Sequence, residues 1–219
     1  MSFEDSAIVS CGTLIPEITY LKKEGFLDAK SILFLSPGLH ERPRKLAEDL
    51  PKLVREAKKR ANKVIVVYGG KFCYLPDYDP FATVDAILRR LGSGITRVRA
   101  SHCIDMLASE KEREEIRGGE KVWWLTPGWI TYKHYVFYDW DKGKAVENFP
   151  KHTGGAILLD GVGFYEKFAA GHPEELLEYS DWMGLPLMPH KITLDRFKNL
   201  LLDAKSRLEE GIDEVLEEG

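Results

Sequence analysis

The sequence predicts an α/β protein: a three-layer sandwich around a mostly parallel, Rossmann-like sheet of about six or seven strands. Three observations carry this. Short, nearly unbroken apolar runs recur along the chain, as in strands covered on both faces. Each run is followed by a turn, often rich in glycine or proline, and then by apolar residues at helical spacing. Strands alternating with helices pair in parallel and carry the helices on their two faces.

The predicted strands are residues 7–10, 32–35, 64–68, 96–99, 122–125, 156–159 and, more weakly patterned, 185–188. Pro16 opens a first helix carrying Ile18 and Leu21 as far as Gly25. Pro43 opens a second with Leu46, Leu50, Leu53, Val54 and Ala57 on one face, and Pro51 inside it predicts a kink or a split. Val84, Ile87, Leu88 and Leu91 mark a third, stopped by Gly92. Ser101 is the expected N-cap of a helix through Ile104 and Leu107. The charged run 109–120 reads as a helix end and an exposed loop between two halves. Between Trp129 and Trp140, the residues Trp129, Val136, Phe137 and Trp140 share a helical face expected in the core, with Tyr132 and Tyr135 over the sheet rim. A long C-terminal helix carries Leu194, Phe197, Leu201, Ala204 and Leu208. Residues 1–219 read as a single α/β domain ending in that helix and a solvated acidic tail.

Composition narrows the function. The chain is 44% hydrophobic and 30% charged, with 31 Lys plus Arg against 35 Asp plus Glu. A formal net charge of -4 excludes a basic whole-domain footprint for nucleic acid. Three cysteines cannot close a disulfide framework and point to a reducing compartment. The N-terminus is acidic and lacks a signal-like apolar run, and nothing approaches ~18 consecutive apolar residues. The expectation is a cytoplasmic protein with no membrane or nucleic-acid partner.

Ligands of open parallel sheets sit outside the carboxyl ends of the strands. The residues that follow the strands here include Cys11-Gly12, Gly38-Leu39-His40, Gly69-Gly70 on to Cys73, His102-Cys103, Thr126 to Trp129, and Asp160 to Gly163. All three cysteines fall among them. Cys11, His40, Cys73 and Cys103 are spaced by about thirty residues, one βα unit each. Each unit would deliver one soft donor to the same rim, and thiolates with imidazole are the donors that Zn²⁺ or iron prefers. Cys11, His40 and Cys103, with Cys73 as fourth ligand, are therefore the predicted metal set. A helix N-terminus at Cys103 would favour its thiolate. His102 is a candidate proton carrier or ligand, and Glu17, at the start of the first helix, a candidate general base. Single free cysteines usually pack as small hydrophobes, so it is their grouping that points to a site. A metal-free redox or nucleophilic thiol is the nearest alternative. His134, His152 and His172 lie in polar contexts and read as surface residues. No Walker A loop occurs, the glycines after Asp160 do not continue as GxGxxG, and no Asp-x-His-x-x-Gly signature of a histidine-bound corrinoid is present, so no nucleotide cofactor is expected.

These rim motifs resemble a known family. Cys11-Gly12 with Glu17, Leu39-His40-x-x-Pro43, Tyr68-Gly69 followed by a Cys, His102-Cys103, Leu125-Thr126-Pro127-Gly128-Trp129 and Gly184-Leu185-Pro186-Leu187 are similar to the domain of unknown function 1638, found in methanogenic archaea and anaerobic bacteria. The similarity spans about residues 7 to 205. It supplies candidate residues without a reaction. Its members' association with corrinoid-dependent methyltransferases implies one-carbon metabolism. The expected function is a Zn- or Fe-binding protein that transfers a thiol or methyl group, with a small-molecule or thiol substrate. The alternative is a non-catalytic accessory protein that binds a metal, cluster or corrinoid for a corrinoid methyltransferase system.

Overall fold

The structure is a computed structural model, and it describes residues 2–70 and 83–211. β1 (Ser6–Ser10) leads through a 3₁₀ turn (Gly12–Leu14) into α1 (Ile15–Lys23). β2 (Ser31–Phe34) leads through a second 3₁₀ turn (Leu39–Glu41) into α2 (Pro43–Lys58). Next come β3 (Lys63–Val67), α3 (Val84–Arg89), β4 (Ile95–Arg97), α4 (Cys103–Leu107) and α5 (Glu110–Arg117). The remainder comprises β5 (Trp123–Leu125), α6 (Pro127–Thr131), α7 (Lys133–Val136), α8 (Lys142–Asn148) and β6 (Ala156–Asp160). It closes with α9 (Phe164–Gly171), α10 (Pro173–Met183), β7 (Leu187–Lys191) and α11 (Asp195–Glu209).

Each predicted strand forms within a few residues of its expected place, and every pairing is parallel. The expected single sheet of six or seven strands does not form. The strands divide into a sheet of four, ordered β2-β1-β3-β4, and a sheet of three, ordered β5-β6-β7. The reason lies at β4. Its Arg97 carbonyl accepts from Arg207 Nη2 at 2.8 Å, and its Thr96 hydroxyl is held by Arg207 Nη1 at 2.6 Å, so α11 borders the strand. The charged segment that follows folds as α5, which buries none of its side chains and starts in a capping box between Ser109 and Glu112.

Two helical expectations also change. α2 runs unbroken through Pro51. Leu46, Leu50, Val54 and Ala57 are all buried on its inner stripe, and that packing outweighs the hydrogen bond the proline cannot make. The aromatic stretch is two short helices, because the backbone leaves helical geometry at Tyr132 (φ −110°, ψ 30°). Val136 and Phe137 are buried as expected, whereas Tyr135 is 58% exposed.

β6 explains how the two sheets meet. Its side chains alternate between faces. Ile157 and Leu159 join the apolar core of the four-stranded sheet, together with Leu194, Phe197 and Leu201. Ala156 and Leu158 join a second core with Phe137, Phe149 and Tyr179. A strand buried on both faces needs an unbroken apolar run, and Ala-Ile-Leu-Leu is that run. No helix among the described residues is long and apolar enough to cross a membrane.

Candidate functional site

The segments that follow β1, β2, β3 and β4 line a cavity of about 320 Å³ together with the start of β5, Trp129 of α6 and His152. Two glycines allow the approach. A Cβ at Gly128 would stand 2.0 Å from the Thr13 carbonyl oxygen, so only glycine lets the start of α6 rest on the turn after β1. The Thr126 hydroxyl fixes the same contact by donating to Thr13 O at 3.2 Å. A Cβ at Gly69 would stand 2.5 Å from the Ser101 carbonyl oxygen and 2.7 Å from His102 Cα, which brings the end of β3 against the start of α4.

Cys11, Cys103, His40 and His102 all line this cavity. The Cys11 thiol is hydrogen bonded to Thr13 Oγ1 at 3.1 Å. Burial pushes the Cys11 thiol up, a nearby Glu17 charge adds to this, and the Thr13 hydroxyl opposes it. Cys103 is pushed up to about 12, first by burial and then by Cys11, while Trp129 and Thr13 pull the other way. Cys103 opens α4, as expected, but α4 is only five residues long and desolvation works against the thiolate. Thr13 favours the ionised form of both thiols.

The cap of α4 is also not Ser101. His102 Nδ1 accepts from the Asp105 N–H at 3.0 Å, and Asp105 Oδ2 accepts from the Ser101 N–H at 2.8 Å. Burial, aided by the Arg113 cation, holds the His102 imidazole below its ordinary value. A neutral ring that accepts at Nδ1 carries its hydrogen on Nε2. His40 stacks on Trp129 with ring centroids 5.3 Å apart. Burial lowers its pKa too, against the pull of Glu41.

Glu17 does not line the cavity. It is wholly buried at the start of α1, and both carboxylate oxygens lack hydrogen-bond partners. Burial pushes its pKa up to about 8, and the Asp160 charge adds to the effect. Asp160, at the end of β6, is itself occupied: its carboxylate accepts from the backbone N–H groups of Val162, Phe164 and Tyr165 and so caps the start of α9. Cys73 lies outside the described residues. Among the described residues, no three His, Cys, Asp or Glu side chains gather at metal-binding spacing.

Sequence reasoning missed several wall residues. Tyr68, Trp123, Trp124 and His152 also face the cavity. His152 stands edge-on to Trp123, with centroids 4.9 Å apart, and its Nδ1 lies 3.1 Å from the Phe149 carbonyl oxygen. Its polar neighbours in sequence concealed this position. The Trp123-Trp124 pair beside an expected rim strand was the legible signal. The cavity walls contain no Asp, Glu, Lys or Arg among the described residues.

No curated protein and no solved structure matches the chain. One family profile does, over residues 34–201, so Cys11 and Glu17 precede the matched span. That span takes in His40, Gly69, His102, Cys103, Gly128 and Trp129, and with it most of the cavity. On this match the chain belongs to the protein family of unknown function DUF1638.

Proposed function

We propose that Cys11 and Cys103 hold a soft metal ion, Zn²⁺ or Fe²⁺, at the wall of the cavity, with His40 as the third donor. The observation that carries this reading is that Cys11, Cys103 and His40 all line one cavity, with the Cys11 thiol bonded to the Thr13 hydroxyl. Thiolates and a neutral imidazole are the natural donors for these metals, and three ligands leave one position open for a substrate. His40 has to close on the thiols for the set to form. Metal binding takes protons from thiols, so thiols that stay neutral alone can still serve as ligands. In this reading His102 donates a hydrogen to whatever occupies the cavity. Cys73 is a candidate fourth donor.

The reaction we favour is transfer of a methyl or thiol group in anaerobic one-carbon metabolism, on a Rossmann-like scaffold working in the cytoplasm. The family's association with corrinoid methyltransferases supports that context. A non-catalytic accessory role in such a system is the second reading, and a closed four-donor site would favour it. Anaerobic purification followed by elemental analysis tests the metal. About one Zn or Fe per chain is expected, lost in Cys11→Ala and in Cys103→Ala. A chain that carries neither metal, and takes up neither on anaerobic reconstitution, would rule the reading out.

A further inference from the structure

The walls of the cavity define what can share it. Trp123, Trp124, Trp129 and Tyr68 are among the residues that line it, and no side chain of fixed charge faces it among the described residues. A charged group entering such a space gives up hydration and meets no counter-charge, which costs far more than an uncharged group of equal size. The polar rings on its walls are imidazoles. The His40 ring lies nearly flat on Trp129, at an interplanar angle of 29°. A space of about 320 Å³ lies at the small end of ligand pockets.

We propose that this cavity takes a small, uncharged molecule with a planar or apolar body and excludes organic anions and cations of the same shape. Carboxylates, phosphate esters and free nucleotides are therefore outside its substrate class. The proposal rests on the reading of this cavity as the working site, but it does not require the metal. The aromatic rings alone could attract a cation through their faces. Trp123 spends its ring on edge-to-face contacts with Trp129, Trp140, Phe149 and His152, so it does not offer an open cage.

Benzamide, benzoate and benzamidinium share one planar shape and differ in charge. Each is titrated at neutral pH into metal-free full-length protein, with tryptophan fluorescence and calorimetry as independent readouts. Benzamide is expected to bind at least tenfold more tightly than either ion. In Trp124→Leu, which removes one wall, benzamide binding should weaken several-fold. His134→Ala, at an exposed position on α7, should leave it unchanged and serves as the folded control. Equal or tighter binding of benzoate or benzamidinium would overturn the proposal, as would no binding of any of the three. Weakening in the His134 variant equal to that in the Trp124 variant would place the probe elsewhere and would overturn it too. Metal content is measured separately, so a protein that binds benzamide without ever holding Zn or Fe would refute the metal reading and leave this one standing.

Discussion

Glu17 ties the stability of the fold to pH. The carboxyl keeps its proton to about pH 8 in the folded protein, against an ordinary value of 4.5. Folding therefore takes up a proton between those limits, so the stabilisation is complete below pH 4.5, fades as pH rises towards 8 and changes no further above it. The whole effect is on the order of 5 kcal/mol. Glu17→Gln mimics the protonated acid, so the stability of the native protein relative to the variant should fall as pH rises from about 5 to 8. Parallel pH curves for the two would show that Glu17 is not buried as a neutral acid. Cys103 gives a second residue-scale expectation. With its thiol at about 12, alkylation by iodoacetamide at about pH 8 should run at least tenfold slower than that of an ordinary cysteine of pKa about 8.5. Peptide mass spectrometry of the metal-free protein reads this directly, and fast labelling would contradict the burial described here. The sequence made both residues candidates by their place after β1 and before α4. It could not show that burial works against the charged form of each, because burial depends on chain segments distant in sequence.

At the scale of elements, the glycines after the strands do more than turn the chain. Gly128 lets α6 lie against the Cys11–Thr13 turn, and Gly128→Ala would push a methyl group into the Thr13 carbonyl. Such overpacking typically costs about 1–3 kcal/mol. The substitution should lower the stability measured by denaturation by that amount and also alter the cavity, because the displaced turn carries Cys11. Ser109→Ala offers a contrast. It removes the cap of an exposed helix, at a cost of roughly 1 kcal/mol, and should leave probe binding in the cavity unchanged. The strands were legible because β-branched and apolar runs such as Val64 to Val67 have few other uses. The unbroken α2 and the break at Tyr132 were not. The first depends on packing that outweighs a proline, the second on local backbone geometry that a shared apolar face does not reveal.

At the scale of the molecule, β6 belongs to both cores. Ile157 faces one and Leu158 the other, so truncating either to Ala should cost about 2–5 kcal/mol. Both variants should unfold in one cooperative transition; separate transitions for the two sheets would contradict a shared strand. That the strands divide four and three was hidden in the sequence. It turns on Arg207 reaching back to Thr96 and Arg97 from α11, a contact no periodicity encodes. The same division places Cys11, Cys103 and Trp123 around one cavity, on which the functional account depends. Cobalt(II) titration of anaerobic, metal-free protein tests that account most directly, because thiolate ligands give Co²⁺ an intense charge-transfer absorption. The account predicts saturation at one equivalent and loss of the band in Cys11→Ala and in Cys103→Ala. A native protein that shows no such band, or a band unchanged when both cysteines are removed, would contradict it.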